Sequence, residues 1–174
     1  KNGKTILHTN SNLTKNCQKG KYLDTETFHN LTDLLDSYST YWDKTSIFII
    51  EQQVSFRNKI NPMALKVGQH CFSYFVIKYG RFKPIIEFPA YHKTQILGAV
   101  KIKKGQYKNG KNKYKNMDKP TRKKWCVSKA FEILKFRSEE DMYNNLKNAK
   151  KKDDLADTLC QLQAFKYLNF VDRC

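Results

Sequence analysis

The sequence has no long run of apolar residues. A membrane-spanning helix needs roughly 20 consecutive apolar residues, and no stretch of the chain approaches that length. Residues 1–20 also lack the apolar centre of a secretory signal. Both absences favour a soluble, intracellular protein that does not engage a membrane.

Cysteine motifs are absent as well. The 5 cysteines include no Cys-x-x-Cys pair and no Cys/His spacing that is typical of zinc ligands. An odd number of scattered cysteines is most simply explained by free thiols in a reducing compartment. A structural zinc site is therefore not expected.

Acidic residues are few, with 16 Asp and Glu against 33 Lys and Arg and a net charge of +17. Such a charge concentrates polyanions at the surface, so nucleic acid is the expected partner. Between Lys101 and Lys124 the only acid is Asp118, and glycine, asparagine and tyrosine separate the basic residues. This composition predicts a flexible basic loop over residues 98–120 that contacts phosphate, with simple solvation of the lysines as the alternative.

Periodicity predicts a single α/β domain over residues 1–174. The length and the apolar content of 40% suffice for one hydrophobic core, and no internal repeat is visible. A strand–helix–strand unit is expected where two short β-rich runs flank a helix that starts at Asn61-Pro62 and ends at Gly80. The remaining predictions are a short strand at 5–8, a helix at 24–42, strands within 46–51 and 83–88, and helices at 121–136, 138–148 and 153–170, with Ser138 and Asp141 as an approximate capping box.

Three acids stand out in this basic chain. Asp154 and Asp157 are three residues apart near the start of the last helix and therefore share a helical face, and Glu51 ends the first buried strand. Crowded carboxylates repel each other unless cations are present, and carboxylate oxygens are the ligands that Mg²⁺ prefers. The set predicts a metal site. Taken alone, the helical acids have an ordinary explanation, with Asp153 as N-cap, Asp154 near the helix dipole and Asp157 solvated.

Three segments in order resemble one family. Residues 49–53 (IIEQQ), 122–127 (RKKWCV) and 152–157 (KDDLAD) resemble the Holliday junction resolvases of poxviruses and related large DNA viruses, which are relatives of bacterial RuvC. The resemblance covers roughly residues 46–167. It implies an RNase H-like fold, in which a mixed sheet is flanked by helices.

The resemblance also implies an activity and its requirements. These are endonucleolytic resolution of four-way (Holliday) and branched DNA junctions during viral recombination and replication, with two Mg²⁺ ions or, alternatively, Mn²⁺. A homodimer is implied because a four-way junction is two-fold symmetric. The expected location is the site of viral DNA replication in the host cell, either the cytoplasm or the virion.

The family's functional residues transfer to positions that match its motifs. Glu51, Asp154 and Asp157 correspond to metal ligands, and Lys124, or Lys123 as second choice, corresponds to a lysine near the scissile phosphate. Family members also carry an acid on an opening Asp-x-Gly strand, and no segment before residue 24 matches it. The expectation is that the chain begins downstream of that strand and that residues 6–8 are a remnant of the next hairpin.

Two alternative functions stay open: a non-catalytic DNA- or RNA-binding protein with an RNase H-like fold, and a nuclease that acts on RNA–DNA hybrids.

Further residues are expected to contact DNA or to support the site. His70 is expected to be a packed histidine rather than a ligand. The expected DNA contacts are Arg57, Lys59, Lys101, Lys103, Lys104, Arg122 and Lys123, and the residues beside the metal ligands are Gln52 and Asp153.

Overall fold

The computed structural model describes residues 3–14, 24–53, 61–115 and 117–171. The chain divides into two compact units. One contains residues 11–90 and is called the α1–β2 unit; the other contains residues 1–10 and 91–174 and is called the α4–α7 unit. The prediction of one domain over residues 1–174 stays a prediction.

The α1–β2 unit contains the predicted strand–helix–strand motif. Strands β1 (Phe48–Gln52) and β2 (Ile85–Pro89) pair in parallel, with Phe48 opposite Ile85 and Glu51 opposite Phe88. Helix α3 (Pro62–Tyr79) connects them, begins with the Asn61 side chain accepting a hydrogen bond from the Ala64 N–H, and ends at Gly80. The motif and the two ends of its helix are confirmed, whereas each strand ends one residue later than predicted, at Gln52 and at Pro89.

Aromatic packing holds this unit together. The rings of Phe48 on β1 and Phe75 on α3 stack with centroids 4.3 Å apart, and Trp42 meets Phe75 edge to face at 5.4 Å. These rings pack with Leu31 and Leu35 in one buried cluster. The apolar side of α3 is therefore fixed against the parallel strand pair.

The helix predicted over residues 24–42 is interrupted. It forms α1 (Thr25–Ser37), which Asp24 caps by accepting from the Thr27 N–H, and α2 (Ser39–Lys44). Tyr38 leaves the helical conformation, and the Trp42 indole donates a 2.7 Å hydrogen bond to the Leu35 carbonyl. The break lets the partly buried Trp42 pack against the aromatic cluster, a contact that apolar spacing alone does not indicate.

The α4–α7 unit is built on three longer helices. These are α5 (Lys119–Phe136), α6 (Glu140–Asn148) and α7 (Lys152–Phe170), preceded by the short α4 (His92–Ile96). Small residues allow close approach of α5 and α7, because Ala130 and Ala156 are fully buried. Leu162, which spacing places on the inner side of α7, is 47% exposed, while the buried side includes Ala156 and Cys160.

Residues 98–120, which the sequence predicts as a flexible loop, contain a β-hairpin. Strand β3 (Ile102–Gln106) pairs antiparallel with β4 (Asn112–Lys115). Asn109-Gly110 occupies the turn, where Gly110 has a φ of +79°, and an Asn-Gly pair between β-forming residues favours such a hairpin. Every residue from 100 to 115 is exposed, so no apolar alternation revealed the strands.

Two local predictions are wrong for physical reasons. Residues 5–8 form no strand; they are tied to the helices by hydrogen bonds from the Thr5 N–H to Glu139 (2.9 Å) and between His8 Nε2 and the Leu155 carbonyl (2.9 Å). Ser138 does not cap α6, since its φ is +54° and it ends α5 instead. Its N–H donates to the Lys135 carbonyl, and the next N–H donates to Leu134, which is a Schellman arrangement.

The described residues form seven helices and four strands and belong to the α/β class, as predicted. None of these helices has the length and apolar character that a membrane span requires. Three of the cysteines, Cys71, Cys126 and Cys160, lie in the described part of the chain and are free thiols, as expected.

Candidate functional site

The start of α7 carries three of the predicted acids. Asp153 and Asp154 lie in its first turn, and Asp157 lies in the next. The residue before the helix, Lys151, makes no capping hydrogen bond through its side chain. Asp153 is therefore not the N-cap, and the ordinary explanation for this acid does not apply.

Asp157 is paired with a buried lysine. Lys93 of α4 places its Nζ 2.7 Å from Asp157 Oδ2, and the Lys93 side chain is only 5% exposed, against 34% for Asp157. A buried ammonium is unfavourable unless a carboxylate compensates its charge. Asp157 therefore has a structural partner, contrary to the alternative that it is merely solvated.

Asp153 is paired with a lysine on α5. The Lys123 ammonium donates to Asp153 Oδ2. This hydrogen bond lowers the pKa of Asp153 and raises the pKa of Lys123, since each charge favours the other. Lys123, predicted as a DNA contact and as the second choice for the lysine near the scissile phosphate, is thus engaged with a neighbouring acid.

Asp154 is the exposed member of the acidic group. Its Oδ2 accepts a 3.4 Å hydrogen bond from the Asn10 side-chain amide. Within the described part of the chain, no lysine or arginine forms a salt bridge with it. Of the three acids, Asp154 is therefore the most accessible to an external cation.

Two buried cysteines lie where α5 packs against α7, the helix that carries these carboxylates. Cys126 of α5 and Cys160 of α7 are fully buried, and the Cys160 thiol donates to the Cys126 carbonyl at 3.6 Å. The neighbouring Cys160 thiol and burial raise the pKa of Cys126. The Cys126 thiol therefore stays protonated at neutral pH and acts as a packing group rather than as a nucleophile.

Glu51 lies in the α1–β2 unit, whereas Asp154 and Asp157 lie in the α4–α7 unit. It is partly buried near the carboxyl end of β1, and Gln52 follows it as the exposed last residue of the strand. Within the described ranges, no group of three or more His, Cys, Asp or Glu side chains is arranged to hold a metal ion. The shared metal site stays a prediction.

The basic residues predicted to bind DNA occupy two places in the α4–α7 unit. Lys103 and Lys104 belong to β3, with Lys101 just before it, and all three are exposed. Arg122 and Lys124 are exposed in the first turns of α5. Arg57 and Lys59 lie outside the described residues.

A cavity of about 510 Å³ lies beside the starts of α5 and α7. Lys123 and Lys124 line it from α5, and Lys150 and Lys152 line it from the start of α7. Asp153 is the acid among its lining residues. The predicted catalytic lysine Lys124 therefore lines the same cavity as Lys150 and Lys152, which were not predicted as site residues.

Sequence reasoning missed Lys93 and the Lys150/Lys152 pair. Lys93 is four residues before Leu97, which packs against the core of the unit. Residues four apart share a helical face, so this spacing could have indicated that Lys93 points inward and needs an acidic partner. His70, by contrast, is correctly predicted as a packed histidine: its Nε2 lies 2.9 Å from Thr32 Oγ1, and its ring contacts Phe28.

Two viral proteins are similar to the chain. It is 41% identical over 160 residues to "Uncharacterized protein 170L" of Invertebrate iridescent virus 6, covering 88% of this chain and 62% of that protein. It is 29% identical over 136 residues to "Uncharacterized protein 97L" of Invertebrate iridescent virus 3, covering 78% and 55%. The chain thus spans less than two thirds of either relative. No family model matches the chain, and no solved structure matches it.

Proposed function

We propose that this protein is a Mg²⁺-dependent, structure-selective endodeoxyribonuclease of RNase H-like fold that cuts four-way and branched DNA junctions in a virus. The observation that carries the proposal is the start of α7, where Asp154 and Asp157 lie three residues apart and the neighbouring Asp153 pairs with Lys123 of α5. The strand–helix–strand motif that presents Glu51 and the viral origin of the relatives also support it.

The donor chemistry suits Mg²⁺. This ion takes one or two protein carboxylates and completes its shell with water and phosphate oxygens, and Asp154 and Asp157 supply such a pair on α7. The family resemblance implies Glu51 as a further ligand. When bound, Mg²⁺ would polarise the phosphodiester and lower the pKa of a bound water. Mn²⁺ accepts the same oxygen ligands.

The chain's own lysines have distinct roles in this proposal. Lys93 neutralises Asp157 from the protein interior and fixes its carboxylate, since their charged atoms lie 2.7 Å apart. Lys124 is exposed in the second turn of α5, where its ammonium contacts the phosphate and offsets the negative charge that develops during cleavage. The exposed lysines of the hairpin hold the flanking DNA by its backbone.

A homodimer belongs to the proposal because a four-way junction is cut twice. Two large apolar side chains on and after α3 are exposed and are proposed to lie in the dimer contact: Ile77 is 82% exposed and Phe82 is 86% exposed. We expect Ile77→Glu with Phe82→Ser to convert a dimer to monomers in sedimentation equilibrium. A monomeric wild-type protein would refute this part.

The test is cleavage of a labelled four-way junction by the purified protein. We expect cutting to require Mg²⁺ or Mn²⁺, and we expect Glu51→Gln and Asp154→Asn each to reduce the rate by about 100-fold or more. Matched controls are Glu87→Gln, an exposed acid on the adjacent strand, and Asp141→Asn, an exposed acid in the first turn of α6. Both controls should cut at nearly the wild-type rate.

One observation favours a second candidate function, a non-catalytic nucleic-acid-binding protein. Two of the three acids on α7 already have lysine partners, which gives them a structural role. Tight junction binding without cutting in Mg²⁺ or Mn²⁺ would support this second function and reject the nuclease. Junction cutting at the wild-type rate by Glu51→Gln would also reject the proposed metal site.

A further inference from the structure

The lysine cavity beside α5 and α7 has more positive than negative charge among its lining residues. Four lysines line it against one acid, Asp153, and Asp153 is already engaged by Lys123. Within the described residues, none of the other three, Lys124, Lys150 and Lys152, forms a salt bridge. Grouped ammonium ions repel each other, so a dianion in the cavity would be bound favourably.

One wall of the same cavity is apolar. Val127 and Phe131 lie one turn apart on α5 and both line it. The Phe131 ring is held by the Tyr143 ring of α6, with centroids 4.8 Å apart, so the wall is a fixed surface. An inorganic anion gains nothing from such a wall, whereas a nucleobase packs on an aromatic ring.

The site is an open depression with room for a small organic anion. Its volume of about 510 Å³ lies within the range of small-molecule sites, roughly 300 to 1,000 Å³. The cations and the apolar wall together select a ligand that carries a phosphate at one end and a flat apolar group at the other.

We propose that this cavity binds one nucleotide unit, with its phosphate on Lys124, Lys150 and Lys152 and its base against Val127 and Phe131. That this nucleotide belongs to a strand of a DNA substrate rests on the proposed nuclease function. The binding itself does not, because it requires neither the carboxylate site nor a metal ion.

The test is titration of the full chain with deoxyadenosine 5′-monophosphate and with 2-deoxyribose 5-phosphate, which lacks the base. Both are titrated in low-salt buffer without divalent metal and followed by calorimetry. We expect Lys150→Gln with Lys152→Gln to weaken binding of the nucleotide by about tenfold or more. The matched control is Lys135→Gln with Lys147→Gln, which removes the same charge from exposed positions on α5 and α6 and should change binding by less than about twofold.

A second variant tests the base contact. Phe131→Leu should weaken the nucleotide several-fold and leave the sugar phosphate nearly unchanged, since only the base meets the ring. Equal losses in the two lysine double variants would reduce the site to diffuse attraction by the basic protein and overturn the proposal. Equal affinities of wild-type protein for the two ligands would overturn the base contact.

These outcomes are separable from those for the nuclease. A protein that binds the nucleotide as expected but cuts no junction would refute the nuclease and leave the cavity assignment standing. A protein that cuts junctions but whose nucleotide affinity is unaffected by Lys150→Gln with Lys152→Gln would support the nuclease and refute the cavity assignment.

Discussion

At the scale of single residues, Asp157 has both a structural role and a proposed catalytic role, because it pairs with Lys93. Asp157 is a proposed metal ligand, and it also compensates a buried ammonium 2.7 Å away. Loss of activity in an Asp157 variant would therefore mix a missing ligand with a perturbed fold. Asp154, which is exposed, is the cleaner position for testing metal binding.

The two partners of this pair should contribute unequally to stability. Asp157→Asn leaves the buried Lys93 ammonium without its counter-charge, so we expect the free energy of unfolding to fall by about 1–3 kcal/mol in a urea titration. Lys93→Met should cost less, because it leaves a partly exposed carboxylate that water solvates. Asp154→Asn serves as the exposed control, with a change below about 0.5 kcal/mol. An Asp157→Asn protein as stable as wild type would contradict the structural role.

The stabilisation by a second carboxylate, Asp36, is expected to depend on pH. Asp36 accepts hydrogen bonds from Lys78 and from the Tyr74 hydroxyl (2.7 Å), which hold the pKa of Asp36 below its ordinary value of 3.8. Because the folded-state pKa is lowered, this stabilisation is fully present above pH 3.8 and is lost as the pH falls through the lowered value. Asp36→Asn should therefore lower the melting temperature at pH 7.

The difference between Asp36→Asn and wild type should shrink to nothing in strong acid. The control is Asp33→Asn, an exposed acid on the same helix with no salt bridge to a described residue, which should melt like wild type at either pH. A deficit for Asp36→Asn that persists after the wild-type carboxyl is protonated would show that packing, not charge, is responsible.

At the scale of elements, the end of α5 offers a stabilising substitution. Ser138 occupies the left-handed position after the helix with a φ of +54°, where glycine has no steric penalty. We expect Ser138→Gly to raise the free energy of unfolding by about 0.5–1 kcal/mol in a urea titration. Ser128→Gly, an exposed serine inside α5, should lower it by a similar amount. If both substitutions change the free energy of unfolding in the same direction, Ser138 does not occupy a left-handed position after α5.

Elements with local signals were predictable. Asn61 and Pro62 start α3 and Gly80 ends it, because capping and proline act within one turn. The break at Tyr38 was not predictable, since it depends on Trp42 entering a core that α3 and β1 complete. The hairpin had one usable signal, Asn109-Gly110, which the surrounding lysines obscured.

At the scale of the whole molecule, the net charge of +17 predicts that the proposed DNA binding weakens steeply as the salt concentration rises. If the hairpin holds the backbone, Lys103→Gln, Lys104→Gln and Lys113→Gln together should reduce the slope of log affinity against log salt by about 2 to 3. The control neutralises the exposed residues Lys44, Lys66 and Lys135. Fluorescence anisotropy with a metal-free junction gives both slopes, and equal slopes would exclude a specific role for the hairpin.

The sequence by itself determined the basic character of the protein, the parallel strand–helix–strand motif and the position of the acids at the start of α7. The basic character and the positions of the acids arise from composition and from spacing within a few residues. The parallel pairing of β1 with β2 could be predicted because a helical crossover joins two short apolar strands. Only the tertiary structure decided that Lys93 compensates Asp157 and that Lys124 shares a cavity with Lys150 and Lys152. Such contacts join residues from different elements, and their energies depend on burial and distance, which the packing of α4, α5 and α7 creates.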